Sequence, residues 1–389
     1  QLTLDYIRRR FIESRYGQFH GLIGLYGHAL ANAWLDGLVP NKSPHDVTLS
    51  DLRTNLADGN GNYPLPISVA VDDIMPGAGV RVWYEFSPYY IGTHQDKGAW
   101  VDTQLFGSIF NEGVPVDVAP EYPLAQYMGT WGSAFAVSPI DAANAGVPWV
   151  ATKGYAVSAN ALYGMYNVLL WKTPDQPACP FKAAASELPN FAFGFDAVPS
   201  RLNKAERLCL VDGGITKEGK YRHNFASAPA LHRDCDILIM CDSHANPNSD
   251  PQSEHLFATS KEAARLRKPF PNLTDSTVHE RALAQMGKEV STLFDEGDPK
   301  VPLVIYMACK KNELYDPTFD PDAKVAGFTD TLNFDYTLEQ FNKLSGLTES
   351  IFTQSKAVIL QAIEEVLRRK GGKLIEGEGA PDEGLGGIE

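Results

Sequence analysis

The stretch "LCLVDGGIT", Leu208 to Thr216, decides how the chain is read. Leu208–Val211 is a continuous apolar run. Such runs mark strands covered on both faces, whereas a half-exposed strand alternates apolar and polar residues. Asp212 and two glycines follow at once. Asp-Gly is a common turn pair, because Asp bonds its own backbone and Gly takes positive φ without cost. An Asp held at the end of a buried strand, beside glycines that permit close approach, can also take a proton directly from a hydroxyl nucleophile. Asp212 is therefore both a turn former and a candidate general base.

Two further runs have the same character, Ile237–Met240 and Leu303–Met307, and they end in Asp242-Ser-His and Cys309-Lys-Lys. Three such runs predict central strands of an α/β sheet with helices packed on it. In such sheets the chemistry sits in the loops at the strand C-ends. Upstream, "LPISVAVDD" (65–73) and "RVWYEFSP" (81–88) read as strands joined by a turn at Pro76-Gly77-Ala78-Gly79. Leu4, Ile7 and Phe11 recur at helical spacing before Gly17. "GLIGLYGHALANAWLDGL" (21–38) reads as a second helix with Ile23, Leu30 and Trp34 on one side, and "NALYGMYNVLLW" (160–171) as another. Residues 92–150 carry no clear period. Thr348 is a candidate N-cap for a long last helix whose apolar positions include Phe352, Ile359, Ile363, Val366 and Leu367, with Gly371 at its stop. The remainder of 371–389 is acidic and Gly-rich, with almost nothing to bury, so it is expected to be disordered.

With 389 residues and 44% hydrophobic content the chain can bury a substantial core. Its net charge of −14 argues against nucleic acid as a partner, which needs basic patches. The clusters Arg8–Arg10 and Arg368–Lys370 read as solvated charge on helix ends. Cys179, Cys209, Cys235, Cys241 and Cys309 are odd in number and widely spaced, without CxxC. That pattern predicts reduced structural thiols and leans towards a cytoplasmic setting. Sequons at Asn41 and Asn272 keep a secreted one open. Cys241, His244 and His255 match no common zinc spacing, and neither Gly-x-x-x-x-Gly-Lys-Ser/Thr nor Gly-x-Gly-x-x-Gly after a strand is present. No metal or cofactor is expected. A serine nucleophile elbow needs Gly-x-Ser-x-Gly, and no serine has glycine at both −2 and +2. Ser108 and Ser133 read as packing or capping residues.

Seven blocks stand in a telling order: "VWYEFSPYYIG" (82–92), "LFGSIF" (105–110), "YMGTWGSAFA" (127–136), "LCLVDGGIT" (208–216), "CDILIMCDSHAN" (235–246), "KPFP" (268–271) and "TLNFDYTLEQFNKLSGL" (331–347). Together they resemble the catalytic domain of cytosolic phospholipase A2 and the related fungal lysophospholipases (phospholipase B), over about residues 1–370. The resemblance implies a patatin-like α/β fold with a central sheet and a Ser–Asp dyad in place of a triad. Its Asp maps to Asp212 in Asp212-Gly213-Gly214, and Gly213, Gly214 and Trp131 fall on the substrate side. The family's Gly-x-Ser-Gly-Ser elbow and its Gly-rich oxyanion loop precede the region that matches, in accord with the serine survey. The chain starts at Gln1 without Met. It is thus expected to be the downstream part of the domain, completed by an upstream segment or by a second chain that carries Gly-x-Ser-x-Gly and the oxyanion loop.

On that reading the substrate is a phospholipid or lysophospholipid, with possible peripheral membrane contact. Hydrolase and transacylase share the acyl-serine and both stay open. So do a lipid-binding pseudoenzyme and a replacement nucleophile at Ser133 or Ser243. The aromatic and Pro-rich stretch 82–136 reads equally as an acyl-site wall and as core packing.

Overall fold

In the computed structural model the described residues are 22–55, 64–72, 82–95, 98–132, 186–198, 200–213, 217–218, 221–222, 228–243, 254–321 and 336–371. The expected helices at 4–17 and 160–171, the turn at 76–79 and the tail from 372 lie outside them. The chain divides into two units, Gln1–His232 and Arg233–Glu389.

The first unit runs α1 (Leu22–Trp34), the single turn α2 (Leu52–Asn55), β1 (Ser68–Asp72), β2 (Val82–Phe86), β3 (Tyr90–Thr93), β4 (Ala99–Asp102), β5 (Ile109–Asn111), β6 (Val114–Asp117), α3 (Leu124–Trp131), β7 (Ser186–Pro189), α4 (Ser200–Asn203), β8 (Arg207–Asp212), β9 (Lys217–Glu218), β10 (Tyr221–Arg222) and α5 (Ala228–Leu231). Six strands form a sheet in the order β4-β3-β2-β1-β8-β7. Every neighbouring pair in it is antiparallel. Within the stretches read as strands, Ser68–Asp72 and Val82–Phe86 form an antiparallel pair, as their residues predict. The β5–β6 hairpin turns through Glu112 and Gly113, at φ 52° and 80°. Two positive φ values give a turn the twist that a tight hairpin requires.

The unbroken apolar character of Leu208–Val211 has a different origin from the one expected. β8 is internal, but its sheet is antiparallel. Leu208 and Leu210 face a core that contains Ala70, Tyr84, Phe86 and Tyr127. Val211 faces the other side, with Val71 and Trp83. Both faces are covered, and that alone removes the alternation.

α1 also packs by another face than its large residues suggest. Trp34 is 68% exposed. Among the positions whose burial is described, Gly24, Gly27, His28, Ala31 and, just after the helix, Leu35 are buried. Small residues let the backbone of α1 approach α3 closely. A Cβ at Gly27 would overlap the Ala125 carbonyl oxygen.

The second unit contains β11 (Ile237–Asp242), α6 (Glu254–Leu266), α7 (Ser276–Met286), β12 (Ser291–Phe294), β13 (Leu303–Ala308) and α8 (Leu338–Arg369). Its three-stranded sheet has the order β11-β13-β12. β11 runs parallel to β13, and β12 runs antiparallel to it. The three apolar runs therefore fall in two sheets rather than one. β13 is buried throughout, as its sequence predicts. β11 is an edge strand among the described residues, and its Ile239 is 41% exposed. α8 covers the sheet face that carries Leu303, Ile305 and Met307. No helix among the described residues is long and apolar enough to cross a membrane.

α8 begins at Leu338, well before Thr348. Thr337 is its N-cap, and Gln340 closes a capping box. The Thr337 Oγ1 accepts from the Gln340 N–H at 3.2 Å, and the Gln340 Oε1 accepts from the Thr337 N–H at 2.9 Å. Thr348 is inside the helix, where its hydroxyl donates to the Leu344 and Ser345 carbonyls. Thr337→Ala should destabilise this unit by about 1 kcal/mol, measured by urea unfolding. Gly371, at φ 73°, follows the helix as its residues predict.

Arg369 clamps the far end of α8, with bonds to Asp295 at 2.6 and 2.7 Å and to Glu365 at 2.7 Å. Hydrogen bonds from Arg368 and Arg369 lower the Glu365 carboxyl to about 2, and Arg369 lowers Asp295. Carboxyls depressed by folding stabilise fully above their unfolded values and lose that contribution as pH falls through the folded ones. Amide exchange in the last turn of α8 should therefore be pH-independent, beyond the intrinsic rate, above about pH 4.5. Protection should drop between there and about pH 2.

Candidate active site

Asp212 is the last residue of β8. The register sets it opposite Ala70, and Ala70 opposite Tyr84, so the three form one row across the sheet. Alternation places the Asp212 side chain on the face of Leu208 and Leu210, beneath α3. Asp212 is half-buried and the next residue, Gly213, is buried. Two residues from that row, the Cys209 N–H donates to the Asp72 Oδ1 at 3.2 Å, which fixes β8 against β1 by a contact other than the ladder. Cys209 is disulfide-bonded, which corrects the expectation of thiols that are all reduced. Cys235, Cys241 and Cys309 are not in disulfides.

α3 is held over this face by polar contacts within an apolar surround. The Gln126 Nε2 donates to the Ser186 Oγ at 3.0 Å, and the Thr130 and Ser186 hydroxyls are 2.6 Å apart. All three residues are buried. Ser186 opens β7 and pairs with Leu210, two residues before Asp212. The signal in the sequence was a pair of polar residues, Gln126 and Thr130, four apart on an otherwise apolar helix face.

Trp131 ends α3. Its indole stacks on Tyr127 at 5.9 Å and meets the Phe86 ring edge-on at 5.6 Å. Phe86 pairs with Ser68 in the row just beyond Asp212. Trp131 and Asp212 thus lie on one face and towards one end of the sheet. The Trp131 Nε1–H is buried without an acceptor, as is the Tyr127 hydroxyl. Burial raises the Tyr127 phenol well above its ordinary value, so it stays protonated. Gly214 and Ser133 lie outside the described residues, and Ser243 is exposed after β11 in the second unit.

Within 82–136, Trp83, Tyr84, Phe86, Phe106, Tyr122 and Tyr127 are fully buried and pack as core. Trp131 is only partly buried. A second polar group occupies the opposite sheet face, which carries Trp83 and Val211. There the buried Glu85 lies 3.6 Å from the His94 Nε2, and His94 stacks on His232 at 4.7 Å. The face that bears Asp212 lacks these groups. Among the described residues no cluster of three or more His, Cys, Asp or Glu could hold a metal ion.

A family model described as the lysophospholipase catalytic domain matches residues 17–318. The chain belongs to that family. Human cytosolic phospholipase A2 epsilon is 24% identical over 384 residues, covering 84% of this chain and 42% of that protein. Mouse cytosolic phospholipase A2 zeta is 35% identical over a shorter stretch of 116 residues, 29% of this chain and 14% of that protein. Human GIVD cytosolic phospholipase A2 superposes with a TM-score of 0.65 at 21% identity, over 92% of this chain and 48% of that one. The fold is therefore the patatin-like α/β fold of these catalytic domains. The chain spans less than half the length of these relatives.

Proposed function

We propose that this chain supplies the Asp base of a Ser–Asp dyad that hydrolyses phospholipid or lysophospholipid acyl esters, with the serine on a separate cleaved chain. The observation that carries the reading is Asp212 itself. It is a half-buried carboxylate at the end of an internal strand, followed by a buried glycine, in a chain of the lysophospholipase family.

The partner's serine hydroxyl passes its proton to Asp212 as its oxygen attacks the ester carbonyl carbon. Backbone amides of the partner hold the resulting oxyanion. As the tetrahedral species collapses, the proton on Asp212 goes to the departing alkoxide, the lysolipid or glycerophospho alcohol, and an acyl-serine remains. Water then attacks the acyl carbon, Asp212 takes its proton, and the fatty acid leaves as that proton returns to the serine. Burial of the carboxylate strengthens its interaction with the hydroxyl. The Trp131 edge of α3 stands on the substrate side of the same sheet face.

Labelling with an alkyl fluorophosphonate, followed by peptide mapping, tests this division of labour. The tag should appear on a second polypeptide bearing Gly-x-Ser-x-Gly. A tag on Ser133 or Ser243 would move the nucleophile into this chain and end the two-chain reading.

A further inference from the structure

α8 carries two apolar faces, and only one of them is covered among the described residues. Leu347, Ile351, Ser355 and Ala362 are buried against the sheet of the second unit. Leu338, Phe341, Phe352, Leu360, Ile363 and Leu367 are 40–75% exposed. At 3.6 residues per turn these six fall within about 100° of arc beside the buried face, along nearly the whole helix. The ion pairs at the helix end orient this second stripe. Arg369 is in line with the buried face and reaches Asp295, just after β12. Lys370 is one residue further round, in line with Phe352 and Ile363, and reaches Asp236, just before β11. The unused stripe therefore lies on the β11 side of α8.

β11 is incomplete on that same side. Its register sets Ile239 opposite Ile305 and Cys241 opposite Met307, so both share the sheet face that α8 covers farther along. Yet Ile239 is 41% exposed, and Cys241 is exposed too. A groove results, with β11 as its floor and the second stripe of α8 as its wall. Among the described residues no strand lies beyond β11.

We infer that this groove is the seat of the serine-bearing partner chain, which adds a strand along β11 and packs a helix between that strand and α8. The inference rests on the two-chain reading and says where the second chain docks. Three observations favour this occupant. The edge of β11 offers backbone hydrogen bonds, which a lipid surface cannot return and a strand can. β11 is parallel to β13, and a parallel sheet extends by strand-plus-helix units that cover its faces. Glu349 and Lys356 interrupt the stripe, which suits a polar-flanked helix and not hydrocarbon. The relatives are also more than twice as long as the portions matched here, so they hold ample chain for such a unit.

Cys241 reports on occupancy, because it is free and exposed on the groove floor. N-ethylmaleimide modification, followed by peptide mass mapping with Cys235 and Cys309 as internal references, should be at least tenfold slower at Cys241 in the two-chain protein than in this chain alone. The double variant Phe352→Glu/Ile363→Glu alters only exposed positions, so its circular dichroism should match wild type. It should reduce co-purification of the second chain at least tenfold, whereas Asp212→Asn should leave co-purification unchanged. If a serine-bearing chain binds, yet Cys241 stays reactive and the double variant still retains it, the groove is not its seat and the two-chain reading stands. Protection of Cys241 that instead grows with the concentration of this chain alone assigns the groove to a second copy and overturns the inference. If no sample yields a serine-bearing chain, the two-chain reading fails and the inference with it.

Discussion

Asp212→Asn is expected to lower ester turnover by about 10³-fold or more, while the melting temperature moves by no more than a degree or two. General-base assistance contributes about 10²–10⁴ in rate, and here one carboxylate would serve both the acylation and the deacylation step. The amide has the same shape and cannot accept the proton. Asp212 ends its strand and is only half-buried, so removing its charge leaves the packing of Leu208, Leu210 and Val211 untouched. A Ser–Asp dyad also predicts which kinetic step is lost. A fluorophosphonate that labels wild type within minutes should label the variant far more slowly, because attack itself needs the base. Retained turnover in a folded Asp212→Asn protein would remove this residue from the chemistry.

Gly27→Ala should be the most damaging single-methyl change in the first unit. Gly27 is on the buried face of α1, and an added Cβ would overlap the Ala125 carbonyl oxygen and crowd the Gly129 nitrogen of α3. Both obstacles are backbone, so no rotamer change relieves them. Overpacking of this kind costs about 1–3 kcal/mol, offset in part by about 1 kcal/mol gained in helix propensity. The depth of the overlap with the Ala125 oxygen puts the cost at the upper end of that range, so a net loss of about 2 kcal/mol should lower the melting temperature by about 4–8 °C, read by calorimetry. Asn32→Ser, at an exposed position of the same helix, should move it by less than a degree or two, because the two residues have similar helix propensities. If Gly27→Ala melts with wild type, α1 and α3 are farther apart than this packing requires.

Local signals in the sequence were read correctly where one residue type had one job. The paired strands Ser68–Asp72 and Val82–Phe86, the stop at Gly371 and the buried run at Leu303–Met307 are of that kind. Where one pattern serves two arrangements, the reading went astray. An unbroken apolar run reports cover on both faces, not strand direction, so Leu208–Val211 concealed an antiparallel neighbourhood. Ile237–Met240 is apolar yet only partly covered among the described residues. Large side chains in α1 and α8 drew attention to Trp34 and Phe352, although the packed faces are built from Gly27, Ala31, Ile351 and Ala362. Thr337 was missed as the cap because the apolar period is plain only after Gly346, while the capping partner Gln340 lies within a polar stretch. The Cys209 disulfide left no trace in cysteine spacing. That Asp212 ends its strand was legible, because the apolar run stops there. The contact that holds α3 above it was not, since Ser186 is remote in sequence from Gln126 and Thr130 and all three are ordinary in type.

Those three residues also bear on where Trp131 stands. An apolar helix on an apolar strand can slide by a notch at little cost, because dispersion and burial are indifferent to direction. Hydrogen bonds inside a core are not, since each one lost leaves a buried polar atom without a partner. The contacts of Gln126 and Thr130 with Ser186 thus act as a detent that admits a single setting of α3 along β7. Trp131, at the end of that helix, inherits the setting. The width of the gap between its indole and the Asp212 strand is therefore decided some distance from either residue. On the proposed function, editing the detent would change which acyl chains fit beside Asp212 without touching Asp212 itself.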